Sequence, residues 1–453
     1  MRFTAHPYQI RAIDWVTGKK RCALFLDMGL GKTVSTLTAI CQLMDEGEVA
    51  TTLVVAPKKV AESTWSTECA KWDHLRHLRV SRVMGTAKQR TEALATAADI
   101  YVVGRDSLVW MLEHLKGRFP FDCLVLDELT SFKNPQAQRF KVVKRWTAQA
   151  ERVVGLTGTP TPNGLIDLWA QMYCIDQGER LGKFVTKFRQ TYFNAIPIGR
   201  FAHKYAIRNG CGQQILDRVA DICLTMQASD YLQLPGLMEI TERIELPGTL
   251  MKNYRQFERE QVLLFGNDPE VVTATNAAAL MNKLSQFASG SVYDEDHFVH
   301  HIHDEKVDRL VEIVEQARSP VLVFYQFKHE VARIAEALKG YRVRSYEGEA
   351  DLTDWNAGRI DVLLAHPAST AYGLNMQQGG HYIVWFGTGW NLEQYQQANA
   401  RLHRQGQTHP VTVYRLVCAD TVDEMANAAI ERKSGAQQGV IDTLKQLLNK
   451  YTN

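Results

Sequence analysis

Asp27-Met28-Gly29-Leu30-Gly31-Lys32-Thr33 directly follows the apolar run Cys22-Ala23-Leu24-Phe25-Leu26, and its residue types answer one chemical need. The apolar run reads as a short buried strand. Gly29 and Gly31 allow backbone N–H groups to turn inward around phosphate oxygens with no Cβ in the way. A helix expected to begin near Lys32 adds the positive end of its dipole. The Lys32 ammonium can reach β- and γ-phosphates, and the Thr33 hydroxyl can ligate magnesium. Asp27 through Thr33 is therefore expected to hold a nucleoside triphosphate. The usual pattern has a glycine five residues before Gly31, and Leu26 stands there instead.

A second feature lies downstream, where Asp127-Glu128 closes the apolar run Cys123-Leu124-Val125-Leu126. An acidic turn after a strand is common and often only solvated. Here the carboxylates fall at the carboxyl end of a buried strand, the edge at which ligands collect in α/β sheets. Asp127 suits an octahedral magnesium held partly through water, and Glu128 can orient an attacking water. The two loops together predict binding and hydrolysis of a nucleoside triphosphate with magnesium.

The chain has 453 residues, which suggests about three domain-sized units or two large lobes with an insertion. Its formal net charge is only +2, so any nucleic-acid contact needs a local basic surface and not bulk charge. The 8 cysteines are scattered without a C-x-x-C pair and read as reduced core residues of an intracellular protein. No signal peptide and no bilayer-spanning apolar run is evident, so no membrane partner is expected.

Apolar runs recur at Thr52 to Ala56, Asp99 to Val103, Asp122 to Leu126 and Arg152 to Leu156, separated by helical stretches. That rhythm predicts a parallel sheet with crossovers. It stops from Pro162 to about Asp304 and resumes at Pro320 to Tyr325, Arg342 to Tyr346, Ile360 to Ala365, His381 to Phe386 and Val411 to Val417. The expected fold is α/β with two nucleotide-fold lobes, each a mostly parallel sheet flanked by helices. The expected boundaries are an ATP-binding lobe over 1–170, a helical insertion and connector over 171–304, part of it packing on the first lobe, and a second lobe over 305–453.

The ordered set of motifs resembles superfamily-two helicase-like ATPases and, within them, the SWI/SNF-type double-stranded-DNA translocases, which implies two RecA-like P-loop lobes that use ATP and Mg2+. Pro7-Tyr8-Gln9, with Trp15 following, is similar to the adenine-reading segment, in which Gln9 would bond the base. Val54-Val55-Ala56-Pro57, followed by Lys58, Trp65 and Glu68, resembles a strand-end loop that touches the DNA backbone. Asp127-Glu128 with Phe132-Lys133-Asn134 resembles the acidic motif, and Leu156-Thr157-Gly158-Thr159-Pro160 with Asn163 the loop coupling ATP state to lobe movement. In the second half, Val321 to Phe324 with Gln326-Phe327 resembles an opening strand. Gly373-Leu374-Asn375 resembles a loop facing nucleotide and DNA. Gln397-Ala398 with Arg401, His403, Arg404, Gly406 and Gln407 resembles the arginine motif in its translocase form.

The resemblance implies that Arg401 and Arg404, expected one helical turn apart on one face, meet the γ-phosphate when the lobes close. Where such arginines act they contribute roughly 10³–10⁵ in rate. It also implies DNA contacts at Pro57, Lys58, Lys133, Thr157, Gly158 and Asn375. Two departures stand out: Leu129-Thr130 follows the acidic pair where a small residue and histidine or glutamine are usual, and Thr370-Ala371-Tyr372 occupies a stretch often rich in glycine.

Two basic stretches are candidate DNA surfaces: Lys133, Arg139, Lys141, Lys144, Arg145 and Arg152, then Lys183, Lys187, Arg189, Arg200, Lys204 and Arg208 with Phe184, Phe188, Tyr192 and Phe193 interleaved. Each has a plainer reading, the first as a solvated helix face and the second as an amphipathic segment with core aromatics. His297, His300, His301 and His303 lack the spacing of a structural metal site and read as a hairpin or connector. Trp385, Phe386 and Trp390 read as core and loop anchors.

The expectation is a monomeric, nearly all-motor translocase on double-stranded DNA, of the compact bacterial or bacteriophage kind, with room for a recruiting protein. A strand-separating or branch-migrating DNA helicase and a non-catalytic DNA-docking subunit remain as alternatives.

Overall fold

The computed structural model describes residues 1–158, 160–161, 164–197, 203–231, 234–263, 274–370 and 374–431, with positions 443, 446–447 and 450–451. The chain divides into two compact units, Met1–Leu232 and Gln233–Asn453.

In unit 1 the strands are β1 (Arg21–Leu26), β2 (Thr52–Ala56), β3 (Val80–Val83), β4 (Ile100–Gly104), β5 (Cys123–Asp127), β6 (Arg152–Thr157), β7 (Phe193–Pro197), β8 (His203–Ile207) and β9 (Cys223–Met226). Seven of them form one sheet in the order β3-β4-β2-β5-β6-β1-β9, parallel at every pairing, while β7 and β8 make a separate antiparallel hairpin. Central strands are buried on both faces, as a parallel sheet covered by helices requires, which is why β2, β4 and β5 read as unbroken apolar runs. Helix α1 (Pro7–Thr17) precedes β1, α2 (Lys32–Asp45) follows it, and α3 (Trp65–Lys71) follows β2. The core beneath the sheet includes Leu53, Leu124, Leu126, Phe132, Trp146 and Met172.

Unit 2 holds β10 (Leu237–Ile244), β11 (Ser291–Tyr293), β12 (Val299–His301), β13 (Val321–Phe324), β14 (Val343–Ser345), β15 (Val362–Ala365), β16 (Tyr382–Trp385) and β17 (Val411–Cys418). Six form a second parallel sheet, ordered β10-β17-β16-β13-β15-β14, and β11 pairs with β12 as an antiparallel hairpin. Inside this unit the Lys306 ammonium is buried against Asp423 Oδ2 at 2.6 Å and donates to the Phe386 carbonyl at 3.1 Å. Trp385 and Phe386 are buried, and Trp390 packs at the edge of a further apolar cluster.

The interval 171–304 is not a helical body of its own. It contains β7 to β12 beside its helices, and it divides at 232–233 between the two units. β9 extends the first sheet beside β1, and β10 extends the second beside β17. Both are edge strands. With one neighbour and partly solvated faces they carry polar residues (Leu237-Met238-Glu239-Ile240-Thr241-Glu242-Arg243-Ile244), so they lack the apolar run that marks a central strand.

Candidate functional site

The parallel sheet of unit 1 brings three strand ends side by side, because its order runs β5-β6-β1. Asp127 ends β5 in register with Leu156, and Thr157 ends β6 in register with Phe25 of β1. The loop 27–31 leaves β1 at this same edge and enters α2 at Lys32.

The loop is bent where the sequence provides glycine. Gly29 has φ 89° and Gly31 φ 72°, the left-handed region that side chains avoid. A Cβ on Gly31 would also stand 2.5 Å from Gln9 Nε2, so the side chain of Gln9 lies directly against this loop. Gln9 is held there by accepting the His6 N–H at 2.9 Å through Oε1. Tyr8 beside it is buried, stacked on His6 and tilted against Tyr231. Leu30 is fully buried and anchors the loop. The Asp27 carboxylate accepts the Ala228 N–H at 2.9 Å, and its own N–H bonds the Met226 carbonyl at 3.1 Å, tying the loop to the end of β9. The Asp27 side chain thus fastens the loop.

Lys32 Nζ folds back over the loop to the carbonyls of Leu26 at 2.6 Å and Asp27 at 3.2 Å. Gly158 sits beside it: a Cβ there would lie 3.5 Å from Lys32 Nζ and 3.6 Å from Met28 Cγ. Thr33 is the second residue of α2 and is half-buried.

On the acidic side, Asp127 Oδ2 accepts the indole N–H of Trp65 at 2.9 Å. Burial pushes the Asp127 carboxyl up to about 6 against that donation, with the Glu128 charge adding to the rise and Lys32 opposing it. Glu128 adopts φ 60°, a left-handed conformation that costs a non-glycine residue about 1 kcal/mol or more and is concentrated at functional sites. Its Oε1 accepts two hydroxyls, Thr130 Oγ1 at 2.9 Å and Thr157 Oγ1 at 3.1 Å. The Leu129-Thr130 departure therefore leaves the acidic loop linked to the end of β6: Leu129 is buried as core, and Thr130 supplies a hydroxyl to Glu128.

Trp65 turns toward the acidic strand end. It is fully buried and serves Asp127, while Glu68 accepts the Trp72 indole N–H at 2.7 Å. A buried tryptophan needs an acceptor for its N–H, but nothing in the spacing names that acceptor. Pro57 and Lys58 follow β2, with Lys58 exposed and weakly paired to Glu62 at 4.0 Å. Lys133 closes the short turn after Glu128 and is half-buried.

The basic stretches separate on inspection. Lys141, Lys144 and Arg145 are exposed on the helix Gln138–Thr147, whereas Arg152 is buried, pairs with Glu48 and donates to main-chain carbonyls of Val16, Thr17 and Lys19. It starts β6, so its side chain is enclosed by the elements flanking that strand. Phe188, Tyr192 and Phe193 are core, while Phe184 is 68% exposed.

In unit 2 the helix Leu392–Asn399 stops before the arginines, and 401–406 run through tight turns ending at Gly406 (φ 93°). Arg401 and Arg404 are thus not one turn apart on a helix. Arg401 is buried and donates through Nε to the Gln397 carbonyl at 2.9 Å, and Arg404 donates to the Leu374 carbonyl at 2.9 Å. That bond places Arg404 beside the 374–375 loop, whose Asn375 carbonyl accepts from Asn356 Nδ2 at 2.8 Å. His403 reaches the Pro235 carbonyl, and Gln407 is buried on the carbonyls of Gln377 and Gly380. Thr159, Asn163, Arg200, Ala371, Tyr372 and Gly373 lie outside the described residues.

Two parallel α/β units, the first with a glycine-bent loop beside an acidic strand end, define a helicase-like ATPase core. The chain belongs to the SNF2-related family: the SNF2-related domain matches residues 8–288 and the helicase conserved C-terminal domain residues 305–406. A protein designated p41, of Acyrthosiphon pisum secondary endosymbiont phage 1, is 37% identical over 98% of this chain and 99% of its own length. The CHD3-type chromatin-remodeling factor CHR7 of Arabidopsis thaliana is 23% identical over 93% of this chain, which spans only 36% of that protein. Among solved structures, a Sulfolobus solfataricus SWI2/SNF2 ATPase core in complex with dsDNA is 22% identical, covers 100% of this chain and 97% of its own, and has a TM-score of 0.46.

Proposed function

We propose that the protein is an ATP-dependent translocase on double-stranded DNA. The observation that carries the reading is the Glu128 carboxylate, held in a left-handed turn by the hydroxyls of Thr130 and Thr157, on the sheet edge that also carries the phosphate loop. In this reading Gln9 reads the base. Met28, Gly29, Leu30 and Gly31 wrap the phosphates, and Lys32 leaves its two carbonyl partners to meet them. Thr33 and Asp127 hold magnesium. Their donor chemistry fits a hard cation: one hydroxyl and one carboxylate whose charge is disfavoured by burial and would be relieved by a positive neighbour. Bound there, the metal would neutralise charge developing on the phosphates.

Glu128 orients the attacking water, and its bond to Thr157 lets the nucleotide state reach the loop that starts at Gly158. Arg401 and Arg404 act on the transferring γ-phosphate, with Gly373 near the nucleotide. Lys58, Lys133, Gly158 and Asn375 meet the DNA backbone, joined by the exposed face of Lys141, Lys144 and Arg145, whereas Pro57 and Thr157 are buried and support that edge from beneath. Such contacts follow phosphates and carry little sequence information, so binding is expected to weaken steeply with salt.

The test is steady-state ATP hydrolysis without nucleic acid and with duplex DNA, single-stranded DNA or duplex RNA at fixed low salt. Stimulation by duplex DNA, abolished by Lys32→Ala or Glu128→Gln in folded protein, is the expected result. Preference for single strands or RNA would replace the reading with strand separation. Full activity in either variant would refute the assigned chemistry.

A further inference from the structure

Helix α2 carries the phosphate loop at its N-terminal end, and its other end approaches a second group of chemically active side chains. Cys41 and Asp45 lie four residues apart on one face of α2. Opposite them is a turn over 72–78, pinned by the buried Leu75 and Leu78, which presents His74 and His77. Cys41 Sγ lies 3.8 Å from His77 Nε2 and 3.9 Å from Asp45 Oδ2, and all three donor atoms fall within 4.8 Å of one another. A third acceptor, the His74 carbonyl, also lies 3.8 Å from the sulfur.

One S–H can donate only once, yet the Asp45 carboxylate and the His74 carbonyl both lie within reach of it, with the His77 imidazole beside them. His74 does not compete for a ligand position through its ring, since its Nε2 is engaged by Thr38 Oγ1 at 2.9 Å and the ring stacks on Phe3. The geometry itself is informative. With metal–sulfur near 2.3 Å and metal–nitrogen or metal–oxygen near 2.0–2.2 Å, a tetrahedral site has sulfur-to-nitrogen and sulfur-to-oxygen edges of about 3.6 Å. The two observed edges exceed that by only a few tenths of an ångström.

From this convergence we propose that Cys41, Asp45 and His77 form a binding site for a zinc-class divalent cation, independent of the nucleotide site. The mixed sulfur, nitrogen and oxygen donors select a borderline metal over magnesium or calcium, which prefer oxygen alone. Three protein ligands leave one coordination position for water. Binding releases the Cys41 thiol proton to solvent as the metal–sulfur bond forms. The bound ion would join the C-terminal end of α2 to the turn that leads into β3. In that place it fastens the helix whose other end forms the phosphate loop.

The experiment titrates cobalt(II) into chelator-treated full-length protein, followed by zinc(II) competition and thermal unfolding. Expected are one equivalent of cobalt with a thiolate-to-metal charge-transfer band, loss of the band on adding zinc, and a higher melting temperature with zinc. Cys41→Ser should remove the band, and His77→Ala and Asp45→Asn should each weaken zinc binding more than about tenfold, since even outer partners of a metal site matter at that scale. His77 and Asp45 are exposed, so their variants test the site even if Cys41→Ser fails to fold. No charge-transfer band, or a band that survives both Cys41→Ser and His77→Ala, would overturn the proposal and assign the metal to other thiols.

Discussion

Removing the Thr157 hydroxyl tests how Glu128 is positioned. Thr157→Val keeps the β-branched shape at a fully buried strand position and deletes the 3.1 Å bond from Oγ1 to Glu128 Oε1. A hydrogen bond to a charged group contributes about 1.5–3 kcal/mol. At about 1.4 kcal/mol per tenfold in rate, its loss from the transition state lowers kcat roughly 10- to 150-fold. Thr130 still donates at 2.9 Å, so the single variant should fall toward the smaller figure. Thr130→Val/Thr157→Val should lose more than the two single losses combined, because each hydroxyl compensates for the other on one carboxylate oxygen. The assay is ATP turnover in the presence of duplex DNA over a range of ATP concentrations, with circular dichroism to confirm folding. KM should stay within about twofold if the bond acts on the water-orienting carboxylate and not on ATP binding. A folded Thr157→Val protein with kcat within twofold of the parent would refute the idea that this hydroxyl positions Glu128.

Three further outcomes are expected. Trp65→Phe removes the indole donor from Asp127 and should raise the magnesium concentration needed for half-maximal turnover by about tenfold, a bond to a charged group again being at stake. Asp423→Ala strands the buried Lys306 ammonium and should cost about 3–5 kcal/mol in denaturant melts, while Lys306→Met/Asp423→Leu should recover most of that loss. His303 and His329 are both pushed down to about 4, first by burial, so the unfolded chain takes up their protons before the native protein does. Their stability contribution is complete above about 6.5 and is lost as pH falls toward 4. His329→Phe should flatten the drop in melting temperature over that window, since the ring packs between Phe327 and Tyr293 and neither nitrogen has a partner among the described residues.

Runs such as Thr52 to Ala56 and Cys123 to Leu126 were legible because central parallel strands are buried on both faces and tolerate few polar residues. The same reasoning missed β3, β9 and β10. β9 and β10 are edge strands, and β3, also at an edge, is four residues long with the pattern Val80-Ser81-Arg82-Val83. The arginine pair was misplaced for another reason. A helical spacing can be counted through 401–404, but the helix ends at Asn399, where the chain turns so that Arg404 can bond Leu374.

By itself, then, the order of residues determined that two glycines bend a loop ahead of a helix, that two acids close an apolar strand, and that the strands lie parallel. Those are properties of local stereochemistry and of periodic burial, which a chain expresses within a few consecutive residues. Only the tertiary structure decided that Trp65 serves Asp127, that two threonines from different elements share Glu128, and that Arg152 is withdrawn from the surface. It also decided that Cys41 meets His77 across 36 residues. Each of these depends on which strand lies beside which, and strand order follows from the packing of the whole sheet, not from the sequence on either side of the contact.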